Sequence, residues 1–261
     1  MMNNNTMKKS TGWAGAVLAV ALLQGCATGP GANPSDPLEP FNRAMFGFNE
    51  GLDRTVLKPV ATAYRDVTPQ PVRTGVTSFF GNISDVISMV NNLLQGKGEA
   101  AADSLFRVTT NTLWGLGGIF DVASEMKIPK HTEDFGQTLG VWGVGSGPYL
   151  VLPVLGPSSV RDTAGLVVDY QLDAVSQADN VRVRNSLTTL RAVNVRANLL
   201  SAGDVLDQAA LDKYSFTRDI YQQRRNSLIG NAPAEKEERF DLPEGASATP
   251  APTPAPAPAA K

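Results

Sequence analysis

The chain of 261 residues carries 23 Lys and Arg against 25 Asp and Glu, a net charge of −2 with a pI near 5.5, and so offers no broad attraction for nucleic acid. Its single cysteine excludes an internal disulfide framework, and its single histidine leaves only carboxylate or carbonyl sites for a metal, with no calcium-loop spacing. No metal and no bound cofactor is expected, and the chain must hold itself together by packing.

Lys8 and Lys9 precede an apolar run from Trp13 to Leu23, which at eleven residues is too short to span a bilayer but suits the hydrophobic region of an export signal. Met7, directly before the lysines, is a second candidate start beside Met1. "LQGC" at 23–26 resembles a bacterial lipobox, which implies a signal peptide over 1–25 and a mature chain that begins at Cys26 bearing N-acyl diacylglycerol. Ala27, where an aspartate often retains lipoproteins in the inner membrane, implies the periplasmic face of the outer membrane. Each buried acyl CH₂ adds roughly 0.8 kcal/mol, so several chains anchor firmly. Residues 26–37 read as a flexible tether.

From there to residue 230 the periodicity is helical. Phe41, Met45, Phe48, Leu52 and Val56 recur at spacings of four, three, four and four, which puts them on one helical face up to Pro59, where the helix should end or kink. The helix is charged as well as apolar, so it is expected to lie along a surface or pack on the core; an apolar stripe alone does not distinguish lipid from protein. A second helix is predicted from Pro71 to Gly96, with Gly81 a possible break, and a third over about 99–113, leading into the apolar, glycine-rich "LWGLGGIFDVAS". Ser159 and Asp162 form a capping box that opens a helix to about Ala174. Two more helices are predicted over 181–200 and 205–228. No alternating run reads as a strand, so the fold class is mainly α. After Gly230 the chain turns polar and ends in "ATPAPTPAPAPAAK", so residues 231–261 are expected to be a disordered tail.

One segment fits none of these patterns. "GVWGVGSGPYLVLPVLGP", residues 140–157, holds five glycines, three prolines and no charge, within an uncharged run from Phe135 to Val160. Pro148, Pro153 and Pro157 rule out a core or spanning helix, and the lack of polar residues rules out a linker, so an irregular loop in an interior or at an interface is expected. Beside it, Glu133 and Asp134 read as a solvated acidic pair.

Catalytic apparatus is sparse. His131 lies in polar "KIPKHTEDFG" and reads as a surface or hydrogen-bonding residue, and Ser146 lacks the outer glycines of a nucleophile elbow. Neither "GLGG" nor "GVGSG" completes a dinucleotide fingerprint, and no Walker lysine follows a glycine loop. Arg161 and Asp162 read as bracketing a helix start, and Arg182, Arg184, Arg191 and Arg196 as a solvated helix face.

The series "SDPLEPFNRAMFGFN", "TAYRDVTPQPVR", "FFGNI", "VNNLLQG", "NTLWGLGGIFDVA" and "EDFGQTLGVWGVGSGPYLVLPVLGPSSVRD" resembles the VacJ-like, or MlaA, outer-membrane lipoproteins, in family order from about Ser35 to Asp162 and more weakly to about Leu228. The resemblance implies a single helical, ring-like domain over 38–230, embedded mainly in the periplasmic leaflet beside trimeric porins. It also implies a role in removing stray outer-leaflet phospholipid through an amphipathic channel to a periplasmic MlaC-like carrier. On that basis Phe41, Met45, Phe46 and Phe48 are expected to seat the first helix at lipid. Residues Trp142, Gly143, Gly145, Gly147, Pro148 and Tyr149 are expected to border the channel, with the aromatic rings at an interface and the glycines allowing movement. A rigid loop is the alternative. An envelope scaffold that moves no lipid, and a lipid hydrolase using Ser146, are the other readings of function.

Overall fold

The computed structural model describes residues 36–230, so the expected signal peptide, Cys26, most of the tether and the tail at 231–261 lie outside the described residues. The chain opens with α1 (Glu39–Leu52), a π-helical turn (Asp53–Leu57) and α2 (Lys58–Val67). Pro59 therefore does not end the helix. The Lys58 N–H reaches back five residues to the Asp53 carbonyl, and this wider turn accommodates the residue that cannot donate.

Helices α3 (Gln70–Leu94) and α4 (Gly98–Leu113) pack against each other more extensively than any other pair of described elements. Pro71 sits in the first turn of α3, Gly81 does not break it, and Gly96 at φ +74° stops it, with the Lys97 N–H on the Asn92 carbonyl. After the short α5 (Val122–Glu125) comes α6 (Phe135–Val141), then strands β1 (Tyr149–Leu152) and β2 (Gly156–Ser159), then α7 (Val160–Leu172). Here the expected irregular loop is corrected: residues 140–157 begin inside a helix and end in a hairpin. The strands are antiparallel, with Tyr149 opposite Ser159 and Leu152 opposite Gly156. The strand pattern is only four residues long and Pro157 sits inside it, which hides the alternation.

The chain closes with α8 (Val181–Asn198), α9 (Leu200–Ala209) and α10 (Lys213–Leu228). The single helix expected over 205–228 is two, because Ala210 is extended at ψ 120° and the Asp212 carboxylate caps the Tyr214 N–H at 3.1 Å. Ser159 caps α7 as expected, accepting from the Asp162 N–H at 3.1 Å. The fold is mainly helical, and no described helix is long and apolar enough to cross a membrane.

The interior is polar. Among the described residues, eleven apolar side chains are buried against nineteen polar or charged ones, while thirty-five large apolar side chains are exposed. The buried face of α3 holds Asn82, Asp85, Ser88, Asn91 and Asn92, and its apolar stripe from Val72 to Leu94 is left partly open. Arg107, 1% exposed, is the largest fully buried side chain. Its guanidinium meets Asp85 at 3.2 Å, Asp121 at 2.9 and 3.1 Å, Ser124 at 3.2 Å and the Ile128 carbonyl at 2.8 Å. A buried cation is tolerable only with its donors matched in this way, and the match joins α3, α4 and α5. Burial disfavours a charged Asp121, but hydrogen bonds from Ser124 and Asn111 and the charge of Arg107 hold its carboxyl below the usual range.

Candidate functional site

The hairpin is clasped by α1. The dipeptide Phe-Asn occurs at 41–42 and again at 48–49, seven residues on, so two turns of helix present the same arrangement twice. Asn42, fully buried, donates to the Tyr149 carbonyl at 3.0 Å and accepts from the Val151 N–H at 2.9 Å. Asn49 donates to the Leu152 carbonyl at 2.9 Å and accepts from the Val154 N–H at 2.7 Å. Each amide thus takes the carbonyl of one residue and the N–H two residues on, as a neighbouring strand would, and satisfies an edge that water would otherwise reach. The hairpin tip beyond is apolar and exposed at Val154 and Leu155, and Val154 holds φ +68°, a left-handed conformation costly for a β-branched residue.

The expected loop residues do not share one environment. Tyr149 is corrected: its ring is 2% exposed and packs in the small apolar core with Val151 and Tyr214, not at an interface. Period-two alternation in β1 turns Tyr149 and Val151 inward together. Its hydroxyl, pushed up to about 12 by burial and by the charge of Asp36, borders a cavity of about 110 Å³ with Ser146 and Arg225. Trp142 is half exposed, stands edge-on to Phe135 at 5.9 Å, and donates its indole N–H to the Leu94 carbonyl at the end of α3, at 3.1 Å. Gly143 at φ +89° and Gly147 at φ +67° need glycine, and a Cβ at Gly147 would also meet Val160 at 3.2 Å.

Gly145 differs from its neighbours. Val144 donates to the Leu139 carbonyl, the Ser146 carbonyl accepts from the Arg161 N–H and the Pro148 carbonyl accepts from the Val160 N–H, whereas Gly145 takes part in none of these bonds. A Cβ there would meet nothing within 4 Å. It stands unbonded between two anchored residues.

Beneath the loop lies a charged cluster. Asp134 caps α6 by accepting from the Gln137 N–H at 2.9 Å, and Arg225 of α10 reaches both Asp134, at 2.5 and 2.9 Å, and Asp162, at 2.8 Å. Tyr221 donates to Asp162 at 2.5 Å, and Arg161, buried, bonds Asp162 at 2.9 Å. Burial opposes ionisation of both carboxyls, but Arg225, with Gln137 at Asp134 and with Tyr221 and Arg161 at Asp162, holds each below the usual range. The solvated reading of the pair at 133–134 is therefore corrected. Glu133 also bonds Lys97 at 2.8 Å and Gln95 at 3.0 Å. Helices α6 and α7 meet through glycines: a Cβ at Gly165 would lie 2.4 Å from the Gly136 nitrogen.

On α1, Phe41 and Phe48 are exposed, whereas Met45 and Phe46 pack against the core cluster of Tyr149, Val151 and Tyr214. The four expected seating residues do not share one face. Exposed apolar side chains also crowd the turn after α4, at Leu113, Trp114, Leu116 and Phe120, beside an apolar groove of about 480 Å³ walled by Val72, Val76, Phe79 and Phe120. The expected solvated arginine face of α8 is corrected at two positions: Arg191 grips Asp173 at 2.7 and 3.2 Å and Arg196 grips Asp53 at 2.6 and 2.8 Å. His131 bonds Asp103 at 2.9 Å. Among the described residues no group of three or more His, Cys, Asp or Glu is arranged to hold a metal.

The fold and this site define a helical protein with a largely polar interior, many exposed large apolar side chains and one clasped hairpin. The chain belongs to the MlaA lipoprotein family, whose model matches residues 34–228. It is 38% identical over 228 residues to the intermembrane phospholipid transport system lipoprotein MlaA of Escherichia coli strain K12, covering 85% of this chain and 90% of that one. It is 34% identical to the MlaA of Haemophilus influenzae, covering 80% and 86%, and 36% identical to an uncharacterized protein of Rickettsia bellii, covering 74% and 76%. A chain solved in work on the structural basis for maintenance of bacterial outer membrane lipid asymmetry superposes with a TM-score of 0.67 at 37% identity, covering 75% of this chain and 99% of its own.

Proposed function

We propose that this chain removes mislocalised phospholipid from the outer leaflet of the outer membrane and passes it to a periplasmic carrier, maintaining lipid asymmetry by transfer without catalysis. The inverted polarity carries this reading. Thirty-five exposed large apolar side chains are costly in water and at home in a leaflet, while the polar groups are gathered inside the domain, away from hydrocarbon. Relatives with this fold are named for phospholipid transport. With no described helix fit to cross, the domain lies in the periplasmic leaflet as a ring, anchored through acylated Cys26 and braced by a trimeric porin. Phe41, Phe48 and the apolar turn after α4 are its lipid contacts. Gly145 is the joint on which the loop at 142–148 moves to admit lipid.

Headgroup-specific labelling of surface phospholipid tests this in cells lacking the protein and complemented with wild type, Cys26→Ala or Gly145→Pro. Accumulation on deletion, reversed by the wild type alone, supports transfer from an anchored site with a moving joint. No accumulation on deletion sinks the transfer reading in favour of a scaffold, and rescue by folded Gly145→Pro sinks the joint.

A further inference from the structure

A cleft of about 720 Å³ separates the end of α1 and the π turn from α9 and the start of α10, on the side of α1 away from the hairpin. Its walls are half apolar, from Phe46, Leu199, Ala202 and Leu206, and half charged. The charges form an alternating ribbon drawn from four elements. Glu50 meets Lys213 at 3.0 Å, Lys213 meets Asp207 at 2.8 Å, Asp207 stands 3.8 Å from Lys58, and Lys58 meets Asp204 at 2.9 Å. Arg196 and Asp53 form a further pair at 2.6 Å. Arg54 lines the same cleft and joins none of these pairs.

Such a ribbon is more than is needed to hold helices together. The side chains of the pairs at its centre are 34–55% exposed, where ion pairs add little to stability, so a ligand's charges can exchange with them. Four cations and three carboxylates line the cleft, and Asp204, paired with Lys58 from outside the lining, brings the network to four of each sign, so it has no net attraction for an anion. A group of one sign placed on an alternating ribbon meets like and unlike charge in turn, and the contributions cancel. A dipolar ion aligned with it gains at both ends. The volume lies within the roughly 300–1,000 Å³ of small-ligand sites, and the apolar wall suits the start of an acyl chain.

We infer that this cleft takes the zwitterionic headgroup of a phospholipid, phosphate toward Arg54 and ammonium toward Asp207, and disfavours lipids of net negative charge. This rests on the phospholipid-transfer reading and adds a headgroup preference to it. The acylated full chain, purified in a nonionic detergent, is offered phosphatidylethanolamine, phosphatidylcholine and phosphatidylglycerol of matched chains, and retained lipid is counted by native mass spectrometry. The two zwitterions are expected to be retained roughly tenfold over phosphatidylglycerol. Asp204→Asn with Asp207→Asn, which leaves the cleft net positive, should reverse that order, and Arg54→Gln, outside the pairs, should weaken retention of all three.

Four results separate the ways of being wrong. Retention of no phospholipid at all overturns the transfer reading itself. Phosphatidylglycerol retained as well as the zwitterions overturns the preference alone. Unchanged selectivity in the double variant, with helicity intact, together with unchanged retention in Arg54→Gln, overturns this location. Glycerophosphoethanolamine, the headgroup without chains, bound as tightly as the intact lipid would overturn the assignment to a lipid in favour of a soluble phosphate ester.

Discussion

Replacing Asn42 by alanine should cost more than any other single change on α1. The side chain makes three hydrogen bonds, to the Asp36 carboxylate at 3.0 Å, to the Tyr149 carbonyl at 3.0 Å and from the Val151 N–H at 2.9 Å, and it is fully buried. Alanine leaves the Tyr149 carbonyl and the Val151 N–H unpaired beside a 2% exposed ring, at about 1–3 kcal/mol for each orphaned group, or about 2–6 kcal/mol together. At roughly 2–4 °C per kcal/mol for a domain of this size, the melting temperature should fall by about 4–24 °C. Asn42→Asp is expected to do no better, because it keeps the acceptor for Val151 but loses the donor and sets a second carboxylate against Asp36. The assay is thermal unfolding of the detergent-solubilised chain, paired with hydrogen exchange at Val151. A melting temperature within about 2 °C of wild type, with Val151 still protected, would refute the view that Asn42 completes the hairpin's edge.

Asn49→Ala loses bonds at an exposed tip that water can replace, so it should cost only about 0.5–1.5 kcal/mol while the Val154 amide, held at φ +68°, exchanges much faster; unchanged exchange there would count against the clasp. Gly165→Ala drives a Cβ to 2.4 Å from the Gly136 nitrogen, and since backbone cannot yield, α6 and α7 must part at about 1–3 kcal/mol, read as a lower denaturation midpoint. Arg225→Gln removes the partner of Asp134 and Asp162, whose carboxyls it holds below the usual range. Depressed carboxyl values give stability above the unfolded value and lose it as pH falls, so the gap between wild type and variant should be full at pH 6 and narrow below about pH 4. A gap independent of pH would assign Arg225 a packing role alone.

Much of the helical framework was legible in the sequence. The proline openings, the Gly96 stop and the Ser159 cap are local devices, settled within one turn of chain. Pro59 misled because its cost was met by five residues before it widening into a π turn, a remedy with no signature of its own. The candidate site was less legible, since its partners are distant in sequence. Asn42 and Val151 are 109 residues apart, and Arg225 and Asp134 are 91 apart. The repeated Phe-Asn dipeptide stands in the sequence, but nothing local marks an asparagine that clasps a strand more than a hundred residues away.

The sequence by itself determined where the helices run, which residues share a face, and the family to which the chain belongs. Only the tertiary structure decided which face turns inward. Periodicity reports that side chains lie together on a helix and is silent about the medium they meet. In this chain the answer runs against the usual one: Asn42, Asn91 and Arg107 are inside, and Phe48, Trp114 and Val154 are outside. The physical reason is that Asn42, Asn91 and Arg107 find hydrogen-bond partners on other elements, and those matches exist only once the elements have come together.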